Sequence, residues 1–335
     1  MILITYGTRP EYIKVKPLID EMNKRGFKFK TLFTGQHADI APEGADYNFS
    51  MTELVNNRLN NIVCNCLSLP DEYFDGITHV LVQGDTTSAL SLALNGFNRK
   101  LKIIHLEAGL RTHDSENPYP EECNRRMISA ISNIHLCPTA DNGVNLIGEG
   151  ITENIFEVGN TVLDNLKNIK EKCQYSNKVL ITMHRRENHD LMGLWFYSIN
   201  ELAKAHPELE FIIPLHPNPN VQINKKYLTH VNIVKPLSHE DLINLLIECR
   251  LVITDSGGIQ EECSFFNKKA LVCRKITERP ESIGLTSFMV EGPHVLREIF
   301  EEHINDYEVD VESPYGDGNA SKYICDIFEK EVYGK

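Results

Sequence analysis

Short runs of apolar and β-branched residues recur along the chain, separated by longer amphipathic stretches. The first half carries "ILITYG", "KTLFTG", "HVLVQGD", "KIIHLEAG", "NIHLCPT" and "IFEVGN"; the second carries "KVLITMH", "FIIPLH", "VNIVKP", "RLVITDSGG", "KALVCR" and "SFMVEG". Each is the length of a strand buried on both faces. The stretches between them follow helical spacing, as where Val15, Leu18, Ile19 and Met22 fall at i, i+3, i+4 and i+7. Alternation of the two predicts an α/β fold of doubly wound parallel sheets covered on both faces. Pro17 lies inside the first predicted helix, where it removes a backbone hydrogen bond and predicts a bend.

The most polar break, "NLKNIKEKCQYSNK" at residues 165 to 178, divides the predicted strands into two equal sets. Two Rossmann-like domains are expected, residues 1–165 and 166–335, with a cleft between them; in such sheets ligands bind beyond the carboxyl ends of the strands. The chain's 335 residues suit two cores better than one. A glycine-rich turn, "GDGN", leads into a last helix that Asn319 or Ser321 could cap and that could pack back on the first domain.

Charge narrows the partners. A net charge of −13 argues against coating nucleic acid or an anionic membrane, since both need a basic face, so an anionic ligand must be small and locally held. The nine scattered cysteines are expected as reduced thiols in a cytoplasmic protein. Cys64 and Cys66 have no second pair to complete a tetrahedral zinc site. No apolar run approaches the roughly 18 residues of a membrane-spanning helix.

Polar residues gather where the strands end. Asp85 follows "HVLVQG", Glu107 follows "KIIHL", and Glu121 heads a helix in "NPYPEECNRRMISAIS". The second half contributes His184, Arg185 and Arg186 of "MHRREN", His216 of "LHPNPN", and "SGGIQEE" after "RLVITD". Singly, an acid at a helix start is most often a cap or a dipole partner, and "SGG" before a helix is a common connection. His79, His105 and His135 sit in or beside apolar runs and read as core or edge residues. Together, three carboxylates, a histidine and a glycine-rich helix start suggest proton chemistry on a phosphorylated ligand.

The strings "GTRPEYIKVKPL", "TGQH", "QGDTTS", "HLEAGLRT", "PYPEECNRRM", "VGNTVLDNL", "MHRREN", "LHPNPNV", "ITDSGGIQEE", "TERPE" and "SPYGDGNAS" occur in that order. In register they resemble the non-hydrolysing UDP-N-acetylglucosamine 2-epimerases. The resemblance implies the GT-B arrangement of two Rossmann-like domains, no cofactor, no metal and a homodimer. It also implies interconversion of UDP-N-acetylglucosamine and UDP-N-acetylmannosamine by elimination of UDP to a 2-acetamidoglucal and re-addition. By the same resemblance Asp85, Glu107, Glu121 and His216 are the catalytic groups. Arg9 and Lys14 face the nucleotide, Ser256, Gly257 and Gly258 cradle the diphosphate, and Glu262 accepts from the ribose hydroxyls. Arg125, His184 and Arg185 complete the substrate-binding set.

The pattern departs from the family after Gln36 and His37, where Asp39 stands in place of a glutamine expected to touch an activating second substrate molecule, and residues 37 to 75 look shortened. Activation by substrate is therefore expected to be altered or absent. Three other readings remain: a C2 epimerase of another UDP-N-acetylamino sugar, a GT-B glycosyltransferase, and a UDP-sugar sensor without chemistry. The three carboxylates together favour epimerisation.

Overall fold

A computed structural model describes residues 1–36 and 44–334; His37 and Asp39, and with them the expected change in activation, lie outside the described residues. The chain forms two compact units, Met1–Leu166 with Gly316–Lys335, and Lys167–Tyr315.

In the first unit, β1 (Ile2–Tyr6), β2 (Phe29–Phe33), β3 (Tyr47–Asn48), β4 (His79–Gln83), β5 (Lys102–Leu106), β6 (Ile134–Cys137) and β7 (Ile155–Glu157) pair in parallel in the order β3-β2-β1-β4-β5-β6-β7. Helices α1 (Arg9–Lys24), α2 (Arg58–Leu67), α3 (Thr87–Asn98), α4 (Glu121–Ile131) and α5 (Ala140–Gly148) belong to the same unit. Alternate strand residues point to opposite faces. Ile2, Ile4, Leu81, Ile104 and Leu106 pack with Val15, Leu18 and Met22 of α1, while Leu3, Val80, Val82 and Ile103 pack with Ile62 and Cys66 of α2 and Leu92 of α3. Burial pushes the Cys66 thiol up to about 12, as suits a core residue.

The second unit has six parallel strands in the order β10-β9-β8-β11-β12-β13: β8 (Lys178–Thr182), β9 (Glu210–Pro214), β10 (Asn232–Val234), β11 (Leu251–Thr254), β12 (Lys269–Val272) and β13 (Ser287–Met289). Its helices are α6 (Met192–Ala205), α7 (Pro219–Gln222), α8 (His239–Glu248), α9 (Gly257–Phe265) and α10 (Leu296–Ile304). Trp195, Phe196 and Ile199 of α6 and Phe300 of α10 cover Val179, Ile181, Phe211 and Ile253.

Two local expectations need correction, and a third is met. The first half yields seven strands instead of six, because β3 is two residues long and too short to show a period. Helix α1 continues through Pro17, as the sequence predicts: the carbonyl of Ile13, four residues earlier and deprived of its usual donor, accepts from Asn165 Nδ2 at 3.3 Å. The last helix, α11 (Ala320–Glu331), starts after Asn319, but neither Asn319 nor Ser321 caps it through its side chain. The Asp164 carboxylate does so, accepting from the amides of Ala320 at 2.9 Å and Ser321 at 2.7 Å. With this helix Ile324, Cys325 and Phe328 join the α1 face of the first core.

Candidate functional site

In each sheet the strand order reverses direction beside the first strand of the unit, at β1/β4 and at β8/β11. Such a point leaves a crevice beyond the carboxyl ends of the strands, where doubly wound proteins bind ligands. The polar residues singled out in the sequence emerge from these ends.

In the first unit the β1 and β4 turns are tied together by an acid absent from the candidate set. Glu11, in the first turn of α1 and 2% exposed, accepts from the Gly7 amide at 3.0 Å and from the Thr86 hydroxyl at 2.8 Å. Burial raises the pKa of its carboxyl against the opposing pull of the Thr8 and Thr86 hydrogen bonds. Gly7 is obligatory for space: a Cβ there would lie 2.2 Å from Thr34 Oγ1 and 2.7 Å from Ser88 Oγ. This fixed corner carries Arg9, exposed at the first position of α1, and Asp85, between Gly84 and the Thr86 cap of α3.

Glu107, directly after β5, adopts φ +67°, a left-handed conformation that costs a residue with a side chain of order 1–3 kcal/mol and collects at functional sites. Its carboxylate is 7% exposed and accepts from Lys14 Nζ at 2.5 and 2.6 Å, from Gln83 Nε2, and from Asn160 Nδ2 at 3.5 Å. Lys14 thus sits on a carboxylate. Arg125 likewise sits on Asp85, at 2.7 Å from Nη2 and 2.9 Å from Nε, and Asn124 donates to the Asp85 carbonyl at 2.8 Å. These bonds bring the start of α4, with Glu121 as its first residue, to the same end of the sheet as Asp85.

The neighbouring Glu122 was passed over in the sequence. It is fully buried and accepts from the Thr112 amide at 3.0 Å, the His113 amide at 3.2 Å and Arg125 Nη1 at 3.0 Å. It fastens the segment after β5 onto α4, including the left-handed His113 at φ +60°. One residue apart on a helix is a rotation of about 100°, so the side chains of Glu121 and Glu122 leave α4 in different directions.

In the second unit His184 and His216 follow β8 and β9, and their rings stack 5.0 Å apart at 15°. Burial lowers the pKa of both; the proximity of Asp255 raises each in opposition. Arg185 reaches Glu278 at 3.5 Å, within a buried cluster in which Arg274 pairs with Glu187 at 2.8 Å and Glu278 at 2.7 Å, and Arg279 with Glu261 and Glu278. Three cations and three carboxylates compensate one another there, which is the condition for burying charge.

Ser256 is the N-cap residue of α9 yet makes no side-chain capping bond. The first amides of a helix have no partner within it and attract anions. A Cβ on Gly257 would meet the Arg279 guanidinium at 2.4 Å, whereas one on Gly258 finds nothing nearer than Ser256 Oγ at 3.9 Å. Farther along α9, Glu262 is 4% exposed; its Oε1 accepts from His239 Nε2 at 2.7 Å, and its buried Oε2 has no hydrogen-bond partner among the described residues. An acceptor held in that state is suited to a hydroxyl donor.

Two parallel doubly wound sheets, with acids at the strand ends of one and an open helix start at a strand end of the other, define a protein of the GT-B class of nucleotide-sugar enzymes. The family model for UDP-N-acetylglucosamine 2-epimerase matches residues 20–329. A UDP-N-acetylglucosamine 2-epimerase of Campylobacter jejuni is 36% identical over 382 aligned positions, which cover 98% of this chain and 97% of the relative. The crystal structure of UDP-GlcNAc 2-epimerase from Neisseria meningitidis bound to UDP-GlcNAc has a TM-score of 0.88 at 34% identity, covering 98% of this chain and 100% of that one. That of Methanocaldococcus jannaschii UDP-GlcNAc 2-epimerase in complex with UDP-GlcNAc and UDP gives 0.83 at 26%, covering 98% and 99%. The chain belongs to the UDP-N-acetylglucosamine 2-epimerase family and is an enzyme of the isomerase class. The alignment with the Campylobacter protein spans more positions than the 335 residues of this chain, so that relative carries segments absent here.

Proposed function

We propose that this chain interconverts UDP-N-acetylglucosamine and UDP-N-acetylmannosamine without hydrolysis. A carboxylate takes the proton from C2 of the sugar, the C2–H electrons form the C1=C2 double bond, and the C1–O bond breaks with its electrons going to UDP. A second group returns a proton to the opposite face of C2, and the UDP oxygen adds again at C1. The net change is inversion at C2.

The observation that carries this reading is the gathering of Asp85, Glu107 and the helix headed by Glu121 at one end of the first sheet. Serving both faces of a sugar ring needs at least two proton-transfer groups. Asp85, Glu107, Glu121 and His216 are assigned that work. A proton on C2 is not acidic, so the departing diphosphate must do much of the activation. Arg9, the amides of Ser256, Gly257 and Gly258, and the His184–Arg185 turn are assigned to the charge it develops; one well-aimed donor is commonly worth about 3–4 kcal/mol. The open oxygen of Glu262 is assigned to the ribose hydroxyls. Lys14 and Arg125 act in the same scheme by holding Glu107 and Asp85.

Proton NMR of the chain with UDP-N-acetylglucosamine in deuterated water tests the proposal. Deuterium at C2 with a growing UDP-N-acetylmannosamine signal is expected. Free N-acetylmannosamine would make the enzyme hydrolysing, and an unchanged spectrum would reject the substrate.

A further inference from the structure

The carboxylate of Asp255 is fully buried immediately beyond β11. Strands β8 and β11 pair as far as Thr182 and Thr254, whose hydroxyls lie 2.6 Å apart, and then diverge. Across that gap Asp255 accepts from the His184 amide at 3.1 and 3.0 Å, from the Arg185 amide at 2.9 Å and from Asn188 Nδ2 at 3.1 Å. Asn188 in turn accepts from the indole of the core residue Trp195 at 3.1 Å. Asp255 thus holds both ends of the His184–Asn188 segment, alongside the Asn188 bond to the Cys273 carbonyl at 2.9 Å and the Glu187–Arg274 pair at 2.8 Å.

A neutral acceptor could pin a loop at a lower desolvation cost than an ionised one. Among the described residues the only basic side chain within 4 Å of the Asp255 carboxylate is the His184 imidazole, with Nδ1 at 3.7 Å, which pairs with it when protonated, and that ring stacks on His216. We propose, resting on the function proposed above, that Asp255 is a positioning residue of the reaction: it fixes His184 against His216 and supplies the counter-charge for a single proton carried by that pair. Two imidazoles in stacking contact resist double protonation, so they titrate as a pair. The other charged or titratable neighbours are Arg185 and His189, both on the β8 side and both opposing a proton on His184. Among the described residues Asp255 is the group that favours it.

The test is a pH titration of the histidine Cε1–H signals in the full chain without substrate, with His184→Gln and His216→Gln assigning the two resonances. Asp255→Asn is expected to lower the His184 midpoint by about 1 pH unit, to lower that of His216 less, and to move the acid limb of the kcat profile the same way. A folded Asp255→Asn chain with unmoved midpoints would overturn the proposal. Should that variant fail to fold, His184→Phe keeps a stacking ring and leaves Asp255 in place. The His216 midpoint is then expected to rise, since a neighbouring positive charge is removed; an unmoved midpoint overturns the proposal equally. Absence of epimerisation by the parent chain would reject the function and the catalytic part of the assignment, while the titrations still decide the positioning part.

Discussion

Two adjacent acids at the start of α4 offer the most direct test of the proposed division between chemistry and architecture. Glu122→Ala removes the acceptor of the buried Thr112 amide and of Arg125 Nη1, both at 3.0 Å. Each buried donor left without a partner costs about 1–3 kcal/mol, and breaking a buried ion pair about 3–5. Arg125 keeps Asp85, so the lower end applies to the pair. The contact of Arg126 at 3.4 Å adds little, because that side chain is 46% exposed. A loss of about 3–5 kcal/mol is expected for Glu122→Ala, and about 1–3 for Glu122→Gln, which retains one acceptor oxygen. Glu121→Gln is expected to abolish epimerisation with stability within about 1 kcal/mol of the parent. The readout must report the first unit. The single tryptophan, Trp195, lies in the second, so urea unfolding should be followed by hydrogen exchange of α4 and the strands beside it. A fully stable but inactive Glu122→Gln, beside an active Glu121→Gln, would reverse the assignment.

Asp85→Asn is expected to keep UDP affinity, by calorimetry, while abolishing C2 exchange; undiminished exchange would remove Asp85 from the mechanism. His105 and His135 are buried as neutral rings, burial holding them down to about 3 and about 4, against about 6.5 when unfolded. The unfolded chain therefore binds more protons below about pH 6.5, and each ring withdraws up to about 1.4 kcal/mol of stability per pH unit as pH falls toward its folded value. Relative to His105→Gln, which can still donate to the Gly84 carbonyl, the parent should lose stability between pH 7 and 5; parallel curves of urea midpoint against pH would contradict this. Gly7→Ala forces a Cβ to 2.2 Å from Thr34 Oγ1 and should cost about 1–3 kcal/mol or more, together with activity; a parent-like melting temperature would count against the fixed corner at β1.

What the sequence made legible is what depends on neighbours in the chain. All twelve apolar runs become strands, because a strand buried on both faces must be apolar along its length. Asp85, Glu107 and Glu121 could be found because a strand end or a helix start is itself a local feature. The residues that escaped notice act over distance. Glu11 reads as an ordinary first-turn acid, yet it accepts from Thr86, 75 positions away. Asp164 caps a helix 156 positions later, displacing the local candidates Asn319 and Ser321. Asp255 is hidden at the end of an apolar run, and its partners lie on the loop after another strand.

These missed acids share a chemical trait. Glu122 and Asp255 each accept from two backbone amides besides a side chain, Arg125 and Asn188 respectively, Glu11 accepts from one amide and one hydroxyl, and all three are nearly or fully buried. A carboxylate committed to backbone donors is costly to move and poorly placed to exchange a proton with a ligand. Among the partners of the acids assigned to proton transfer are charged side chains, the guanidinium of Arg125 on Asp85 and the ammonium of Lys14 on Glu107, with two side-chain amides on the latter. Side-chain partners can shift when a substrate arrives, whereas backbone partners define where the strand ends are. Backbone donors on an acid of a doubly wound protein are expected to mark it as part of the frame, and Glu121 and Glu122 are the pair on which that expectation is most directly tried.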